Sequence, residues 1–139
     1  MRPYSDFIER IRSVGLRPTR QRLAIAKLLF EGEDRHVTAE NLHKETKSEN
    51  MRVSLATVYN TLHQFTDVGL LREISIDGSR SYFDTNTKNH HHFYYEKNQK
   101  LGDIPDGIIS LEKLPEAPEG KKIKSVDIVI TISDSENTS

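Results

Sequence analysis

Apolar residues recur at helical spacing in the first part of the chain. They lie three and four positions apart in Ser5 to Val14, which predicts a short amphipathic helix that ends at Gly15. A denser apolar run begins after Thr19 and predicts a core helix that ends at Gly32. Thr38 has the side chain of an N-cap residue and predicts the start of a third helix.

The fourth predicted helix, which Ser54 can cap and Gly69 can close, carries two different faces. At about 100° per residue, one stripe is apolar and holds Leu55, Val58, Leu62 and Phe65. The opposite face is short, polar and nearly uncharged, and it holds Ala56, Thr57, Asn60, His63 and Gln64. A helix face that only meets solvent usually carries Lys and Glu, so we predict that this face is reserved for a contact.

Strand-like alternation follows the fourth helix. Two such runs, Leu70 to Ile76 and Ser79 to Asp84, are joined by Asp77-Gly78, a strong signal for a β-hairpin. Helices followed by a hairpin are the order of a winged helix-turn-helix, in which the last helix enters the major groove of DNA. The hairpin then lies along the DNA backbone, where Arg80 beside the turn can meet a phosphate.

The pattern restarts beyond residues 85–89, a polar segment that we interpret as a hinge. It predicts strands at His90 to Lys97, Leu101 to Ile104 and Val126 to Ile132, with a brief helix at Ile108 to Leu114. These few elements can bury only a little apolar surface. We therefore expect this half to pair with a second copy. We predict an α/β (α+β) fold with a winged-helix domain 1–84, a hinge 85–89, a dimerisation and ligand-sensing domain 90–132 and a disordered tail 133–139.

Positive charge is unevenly distributed although the formal net charge is only -1. Every Arg lies between Arg2 and Arg80, and all later cations are Lys. Arginine suits forked contacts with phosphates and bases. Five arginines cluster around the start of the second predicted helix: Arg10, Arg12, Arg17, Arg20 and Arg22. A solvated helix face explains this cluster equally well.

The chain contains no cysteine, which excludes disulfides, thiolate zinc sites and cysteine nucleophiles. Its charged N-terminus is unlike a signal peptide, and no apolar run approaches the roughly 20 residues that span a bilayer. We therefore expect a cytoplasmic protein without a membrane partner. No Ser-His-Asp order, HExxH or glycine-rich phosphate loop appears, so a small metalloenzyme is the weakest hypothesis and we expect no enzyme.

Three adjacent histidines stand in the stretch NHHHFYY. Successive strand residues point to opposite faces, so His90 and His92 share a side and His91 points away. A pair from one face can belong to a nitrogen and oxygen site for a divalent metal. Imidazole is also an axial heme ligand, and Phe93 and Tyr94 can cover a porphyrin face. On the residues alone, a metal or heme site is as well supported as a polar strand that borders a dimer interface.

Several segments resemble a known family. GLRPTRQRLAIAKLLF, HVTAENLH and SLATVYNTLHQFTDVGLL match the DNA-binding half of the ferric uptake regulator (Fur) superfamily. YFDTNTKNHHHFYYEKNQKLGDI and LPEAPEGKKIKSVDIVI look more specifically like its iron response regulator (Irr) branch. The resemblance implies a cytoplasmic homodimer that binds a palindromic operator in double-stranded DNA and controls iron and heme genes. The branch implies that heme relieves DNA binding, and the alternative is a repressor that uses iron or manganese as corepressor.

The resemblance also implies roles for individual residues. It makes Ser54 to Val68 the recognition helix, and it implies DNA contacts at Arg17, Arg20, Ser54, Thr57, Tyr59 and Asn60. Tyr59 could equally be an aromatic at the edge of the core. The regulatory site for Fe²⁺, Mn²⁺ or Zn²⁺ matches His36, Asp84, His90, His92 and Asp103, and heme is tied to His90, His91 and His92. The paired cysteines of the family's structural zinc are absent, so we expect no cysteine-held zinc, and any heme must bind without thiolate.

Overall fold

The computed structural model describes residues 5–135 and divides the chain into two compact units. Unit 1 is Met1–Thr87 and unit 2 is Lys88–Ser139. The boundary lies inside residues 85–89, for which the sequence predicts a hinge. Both units mix irregular segments with sheet, and unit 1 adds helices, so the predicted α+β class is confirmed. No helix in residues 5–135 combines the length and the apolar character needed to cross a membrane.

Unit 1 contains the four helices that the apolar spacing predicts. They are α1 (Ser5–Ser13), α2 (Arg20–Phe30), α3 (Ala39–Ser48) and α4 (Leu55–Asp67). Three of them begin at hydroxyl caps, because the side chains of Thr19, Thr38 and Ser54 each accept a hydrogen bond from the backbone N–H three residues later. These caps are short-range chemistry, which is why the helix starts are predictable from the sequence.

A three-stranded antiparallel sheet completes unit 1. Its strands are β1 (His36–Val37), β2 (Arg72–Asp77) and β3 (Arg80–Asp84), in the order β1-β3-β2. The predicted hairpin is confirmed, and Asp77 Oδ1 accepts hydrogen bonds from the N–H and the hydroxyl of Ser79 at 2.8 Å each. These bonds hold the pKa of Asp77 below its usual value. The sequence did not predict β1, which pairs with β3 of the hairpin although it lies more than 40 residues earlier in the chain.

The core of unit 1 lies where the apolar faces of the helices meet β3. Three residues of the apolar stripe predicted for α4, Val58, Leu62 and Phe65, are fully buried. Leu55 is an exception, because at the first position of α4 it remains 39% exposed. The apolar stripe therefore overestimates the buried part of α4 by one residue, Leu55. The fully buried large apolar side chains of this core are Ile11, Ile25, Leu29, Leu42, Leu62, Phe65 and Phe83.

Unit 2 is built on a second three-stranded sheet of β4 (His92–Tyr95), β5 (Lys100–Asp103) and β6 (Val129–Ile132). The order is β5-β4-β6, with β5 antiparallel and β6 parallel to β4. All three strands are predicted by the sequence, although the first begins two residues later than predicted and the last begins three residues later. Within the described part of unit 2, the buried side chains are few: His90, His92, Tyr94 and Ile104.

The helix predicted at Ile108 to Leu114 is wrong. The structure has irregular backbone there, after a turn at Gly107 with φ 82° and before Pro115. An isolated stretch of this length is too short to hold a helix without packing. Ile108 is 70% exposed and Leu114 49%, so packing holds neither end of the stretch. In the predicted tail, residues 133–135 are irregular, while 136–139 lie outside the described residues.

Candidate functional site

The outer face of α4 is open along its length. Ala56, Tyr59, Asn60 and Gln64 are exposed, and Thr57 is half-buried. Tyr59 is 39% exposed, and its ring lies 4.8 Å from the His63 ring and edge-on to Phe83 at 6.3 Å. Tyr59 is therefore both an aromatic at the edge of the core and an exposed side chain, so the two interpretations of this residue do not exclude each other.

A cleft of about 360 Å³ runs between the start of α2 and the outer face of α4. It contains three of the predicted DNA contacts, namely Arg17, Thr57 and Asn60. Its remaining lining is Thr19, Gln21, Arg22, Thr61 and Gln64, so the cleft holds two guanidinium groups and no carboxylate. Two further predicted contacts, Arg20 and Arg80, are exposed at the first residues of α2 and β3. This surface suits an anionic polymer whose phosphates favour arginine.

Ser54, also a predicted DNA contact, already has a structural role. Its Oγ accepts from the Thr57 N–H at 3.0 Å and its hydroxyl donates to Thr57 Oγ1 at 3.0 Å. The pair closes the first turn of α4 and fixes the position of Thr57. Contact with DNA would therefore add to a hydroxyl that is already engaged.

We expect Ser54→Ala to lower the free energy of unfolding of unit 1 by about 1 kcal/mol, the usual loss for a helix cap. The value is measured by urea unfolding followed by far-UV circular dichroism. Ser54→Asp is the matched variant, because a carboxylate also caps a helix and should retain most of the stability. Equal losses in both variants would contradict the capping role.

The histidine and carboxylate pair of unit 1 lies on its sheet. The β1–β3 register sets His36 opposite Asp84, and His36 Nε2 is 3.2 Å from Asp84 Oδ2. Asp84 is 1% exposed, and its Oδ1 accepts from the Asn86 N–H at 2.9 Å. Burial lowers the pKa of Arg72, which lies opposite Asp84 on β2, while the Asp84 carboxylate opposes that effect. Asp84 is thus a buried carboxylate held in one orientation.

Arg35 anchors the short strand that carries His36. Its guanidinium donates to Glu45 Oε1 at 2.9 Å and to the Leu28 carbonyl at 3.0 Å, and the Glu45 bond raises the pKa of Arg35. The Arg35 N–H donates to Thr85 Oγ1 at 2.9 Å. A strand of two residues has few ladder bonds of its own, so these contacts with α2, α3 and Thr85 hold β1 in place.

Two histidines and one carboxylate converge in unit 2. His90 Nε2 lies 3.0 Å and His92 Nε2 3.5 Å from the same Asp103 oxygen, Oδ1. The two rings are 4.3 Å apart between centroids, and both are buried, while Asp103 reaches them from the solvent side at 53% exposure. The β4–β5 register sets His92 opposite Asp103. The sheet therefore brings together His90, His92 and Asp103 of the predicted metal ligands.

The hydrogen bond at His90 Nδ1 determines whether Nε2 of the neutral ring carries a proton or a lone pair. Nδ1 lies 2.6 Å from the Lys88 carbonyl oxygen, which can only accept, so Nδ1 carries the proton. In the neutral ring Nε2 then directs a lone pair at Asp103 Oδ1, which is also an acceptor. Such a pair is stabilised by a cation between the atoms or by a second proton. Donation from the second imidazole nitrogen to a backbone carbonyl is the usual support of a metal-binding histidine.

His91 does not join this cluster. Its Nδ1 accepts from the Ile128 N–H at 3.1 Å, just before β6, and its carbonyl accepts from the Ile104 N–H at 2.9 Å. The histidine triplet predicted for heme is thus divided into a pair and a structural residue. The cavity beside His90 and His91 measures about 120 Å³. Pockets for drug-sized ligands measure about 300–1,000 Å³, so this cavity is too small for a porphyrin, while the donor set of unit 2 suits a divalent ion.

Sequence reasoning missed two contributors to these sites. The Lys88 carbonyl orients His90, and the Arg22–Gln64 contact crosses the cleft. The first is a backbone atom without a side-chain signature. The second joins residues 42 positions apart, and no local pattern connects them.

The model of the Ferric uptake regulator family matches residues 13–132 of this chain. A Peroxide-responsive repressor PerR of Staphylococcus epidermidis is 38% identical over 99 residues, which are 71% of this chain and 65% of that protein. A Peroxide-responsive repressor PerR of Staphylococcus aureus is 36% identical over 99 residues, 71% of this chain and 66% of that protein. The aligned region thus spans just under two thirds of these relatives.

Solved structures share the fold at lower identity. The ferric uptake regulator of Vibrio cholerae has a TM-score of 0.73 at 22% identity, over 93% of this chain and 100% of that chain. The Pseudomonas aeruginosa regulator, solved with manganese, has a TM-score of 0.69 at 23% identity, over 97% and 100%. Both support the arrangement of an N-terminal winged helix followed by a smaller sheet domain.

Proposed function

This chain belongs to the ferric uptake regulator family, and we propose that it is a repressor whose binding to operator DNA depends on a divalent metal. One observation carries the metal dependence. His90 Nε2 and His92 Nε2 lie 3.0 and 3.5 Å from the same carboxylate oxygen, Asp103 Oδ1. Two imidazoles and a carboxylate form a ligand set for Fe²⁺, Mn²⁺ or Zn²⁺. The bound ion would supply the positive charge that holds these acceptors together.

The proposal assigns DNA recognition to α4 and the start of α2. The proposed contacts are the seven predicted from the sequence: Arg17, Arg20, Ser54, Thr57, Tyr59, Asn60 and Arg80. Support comes from the arginine-lined cleft and from the polar, accessible outer face of α4. Asn60 suits the pattern of donors and acceptors on an adenine edge, while the arginines suit phosphates or guanine.

We further propose that the protein acts as a homodimer through unit 2, its dimerisation and ligand-sensing domain. The described part of this unit buries few side chains but exposes large apolar ones. A second copy would cover apolar surface that a small unit cannot bury alone. The resemblance also predicts that His36 and Asp84 complete the ligand set of the same ion, and this assignment stays a prediction.

Removal of metal tests the proposal. An operator duplex is first selected from random DNA with Mn²⁺-loaded protein, and its affinity is then measured before and after chelation. We expect chelation to weaken binding by about 5- to 150-fold, the range of typical coupling between two sites, and added Mn²⁺ or Fe²⁺ to restore it. Binding that is unchanged by chelation would contradict the proposed corepressor role. Zn²⁺ serves as a third metal in the same titration.

A response to peroxide is a second candidate, because the relatives at 36–38% identity are peroxide-responsive repressors. The chain has no cysteine, so the thiol route of peroxide sensing is closed to it. A response must then act through the metal site or through Met1 or Met51. Peroxide oxidises Fe²⁺ readily, so Fe²⁺-loaded protein should lose its operator on peroxide treatment and Mn²⁺-loaded protein should keep it.

The heme response of the Irr branch is tested with the same operator. If heme is the ligand, hemin should weaken operator binding and give a Soret shift that disappears when His90, His91 and His92 are all replaced by Ala. The small cavity beside His90 and His91 and the structural role of His91 favour metal over heme.

A further inference from the structure

Arg22 spans the cleft between α2 and α4. Its Nε and Nη2 donate to Gln64 Oε1 at 3.3 and 3.1 Å, and its Nη1 donates to the Arg17 carbonyl at 2.9 Å. One side chain in the first turn of α2 thus forms hydrogen bonds both to the outer face of α4 and to the backbone that precedes α2. All three nitrogens of the guanidinium group take part in these contacts.

This engagement distinguishes Arg22 from its neighbours in the arginine cluster. Arg20 is exposed, and within residues 5–135 its side chain takes part in no hydrogen bond or ion pair. Arg20 can therefore turn its whole fork toward a phosphate. For Arg22 to do the same, it would first have to break bonds to Gln64 and to Arg17.

Gln64 stands one turn after Asn60 on the same face of α4, because residues four apart are neighbours on a helix. A bond that holds Gln64 to the start of α2 therefore restrains the rotation of α4 about its axis, together with the buried apolar face of that helix. That rotation sets the direction in which Asn60 meets a base edge. The bond to the Arg17 carbonyl fixes the segment that carries Arg17 in the same frame.

We propose that Arg22 and Gln64 form a positioning pair that sets how α4 presents its base-reading side chains, and that Arg22 is not a phosphate contact. The inference rests on the proposed function, since it concerns specificity for an operator. It makes Arg22 and Gln64 determinants of sequence discrimination, while Arg20 contributes to affinity for any DNA.

Arg22→Lys separates the two roles. Lysine keeps the positive charge but lacks the planar fork that reaches Gln64 and the Arg17 carbonyl together. A positioning role predicts that operator affinity falls about tenfold or more, as for a lost hydrogen bond to a charged group. Affinity for a scrambled duplex and the salt dependence of binding should stay unchanged. A phosphate contact instead predicts that Arg22→Lys binds both duplexes nearly as the unmutated protein does.

Gln64→Ala and Arg20→Ala complete the design. Gln64 is uncharged, so Gln64→Ala should reproduce the loss of discrimination, and the Arg22→Lys, Gln64→Ala double variant should be no worse than either single variant. Arg20→Ala should weaken both duplexes and reduce the slope of log affinity against log salt by about 1. Additive losses, or a silent Gln64→Ala variant, would overturn the positioning pair.

A measurement without DNA reports on the pair itself. In the free protein, the Arg22 Nε–H should give a nuclear magnetic resonance signal that exchanges slowly with water, and Gln64→Ala should abolish that protection. Fast exchange in the unmutated protein would overturn the inference. Failure of the unmutated protein to bind any selected operator would refute the proposed function instead, and the Nε–H signal distinguishes the two failures.

Discussion

Replacing Asp103 with alanine is expected to lower the affinity of the protein for a divalent ion by about 100-fold or more. Loss of groups that merely support metal ligands already costs about 10- to 100-fold, and Asp103 Oδ1 is the atom shared by His90 and His92. Without it, unit 2 offers two imidazoles but no carboxylate to balance the charge of the ion. Calorimetric titration of metal-free protein with Mn²⁺ measures the change, and operator binding should lose its metal dependence.

Asp106→Ala is the matched control, because Asp106 is exposed in the same unit, three positions away, and lies outside the ligand cluster. It should bind Mn²⁺ as the unmutated protein does. A similar loss in both variants would mean that the general negative charge of the segment attracts the ion. His36→Ala tests the separate prediction that unit 1 contributes a ligand, and unchanged affinity in that variant would remove His36 from the set.

The parts of the fold that the sequence predicts are those whose causes are local. The apolar spacing and the hydroxyl caps act within one or two turns, so helix starts at Thr19, Thr38 and Ser54 could be located from the sequence. The Asp77-Gly78 turn likewise contains its own signal. By contrast, β1 exists only because β3 pairs with it, and its two residues are too few to show a period. The stretch wrongly predicted as a helix, Ile108 to Leu114, has an apolar pattern, but most of its large apolar side chains stay exposed.

The candidate site shows the same division between local and long-range causes. Alternation predicts that His90 and His92 lie on one side of the strand and His91 on the other, although only His92 of the three lies in β4. Alternation does not reveal which nitrogen of His90 faces Asp103. That choice depends on the Lys88 carbonyl, and therefore on the path of the backbone before the strand. Metal chemistry is thus suggested by residue types, but its orientation is a property of the folded chain.

The free energy of unfolding of unit 1 should fall strongly when Phe83 is replaced with alanine. This side chain is fully buried on β3, opposite Val37 of β1 and Glu73 of β2. Phe83→Ala leaves a cavity in the core, and we expect it to lower the free energy of unfolding by about 3–5 kcal/mol. That loss is a large share of the roughly 5–15 kcal/mol that holds a domain folded. Urea unfolding followed by far-UV circular dichroism isolates unit 1, since the four helices described lie there.

Phe83 also supports the proposed DNA surface, because its ring stands nearly perpendicular to those of His63 and Tyr59, with centroids 5.4 and 6.3 Å away. Phe83→Leu separates packing from ring contact. Leucine keeps most of the apolar volume and should recover more than half of the lost stability. It lacks the aromatic ring that Tyr59 packs against, so operator affinity should recover less than stability does. A loss below about 1 kcal/mol in Phe83→Ala, well under the usual cost of a buried Phe, would show that this residue does not anchor β3 to α4. Equal recovery of stability and affinity in Phe83→Leu would show that Tyr59 needs only a filled core beneath it.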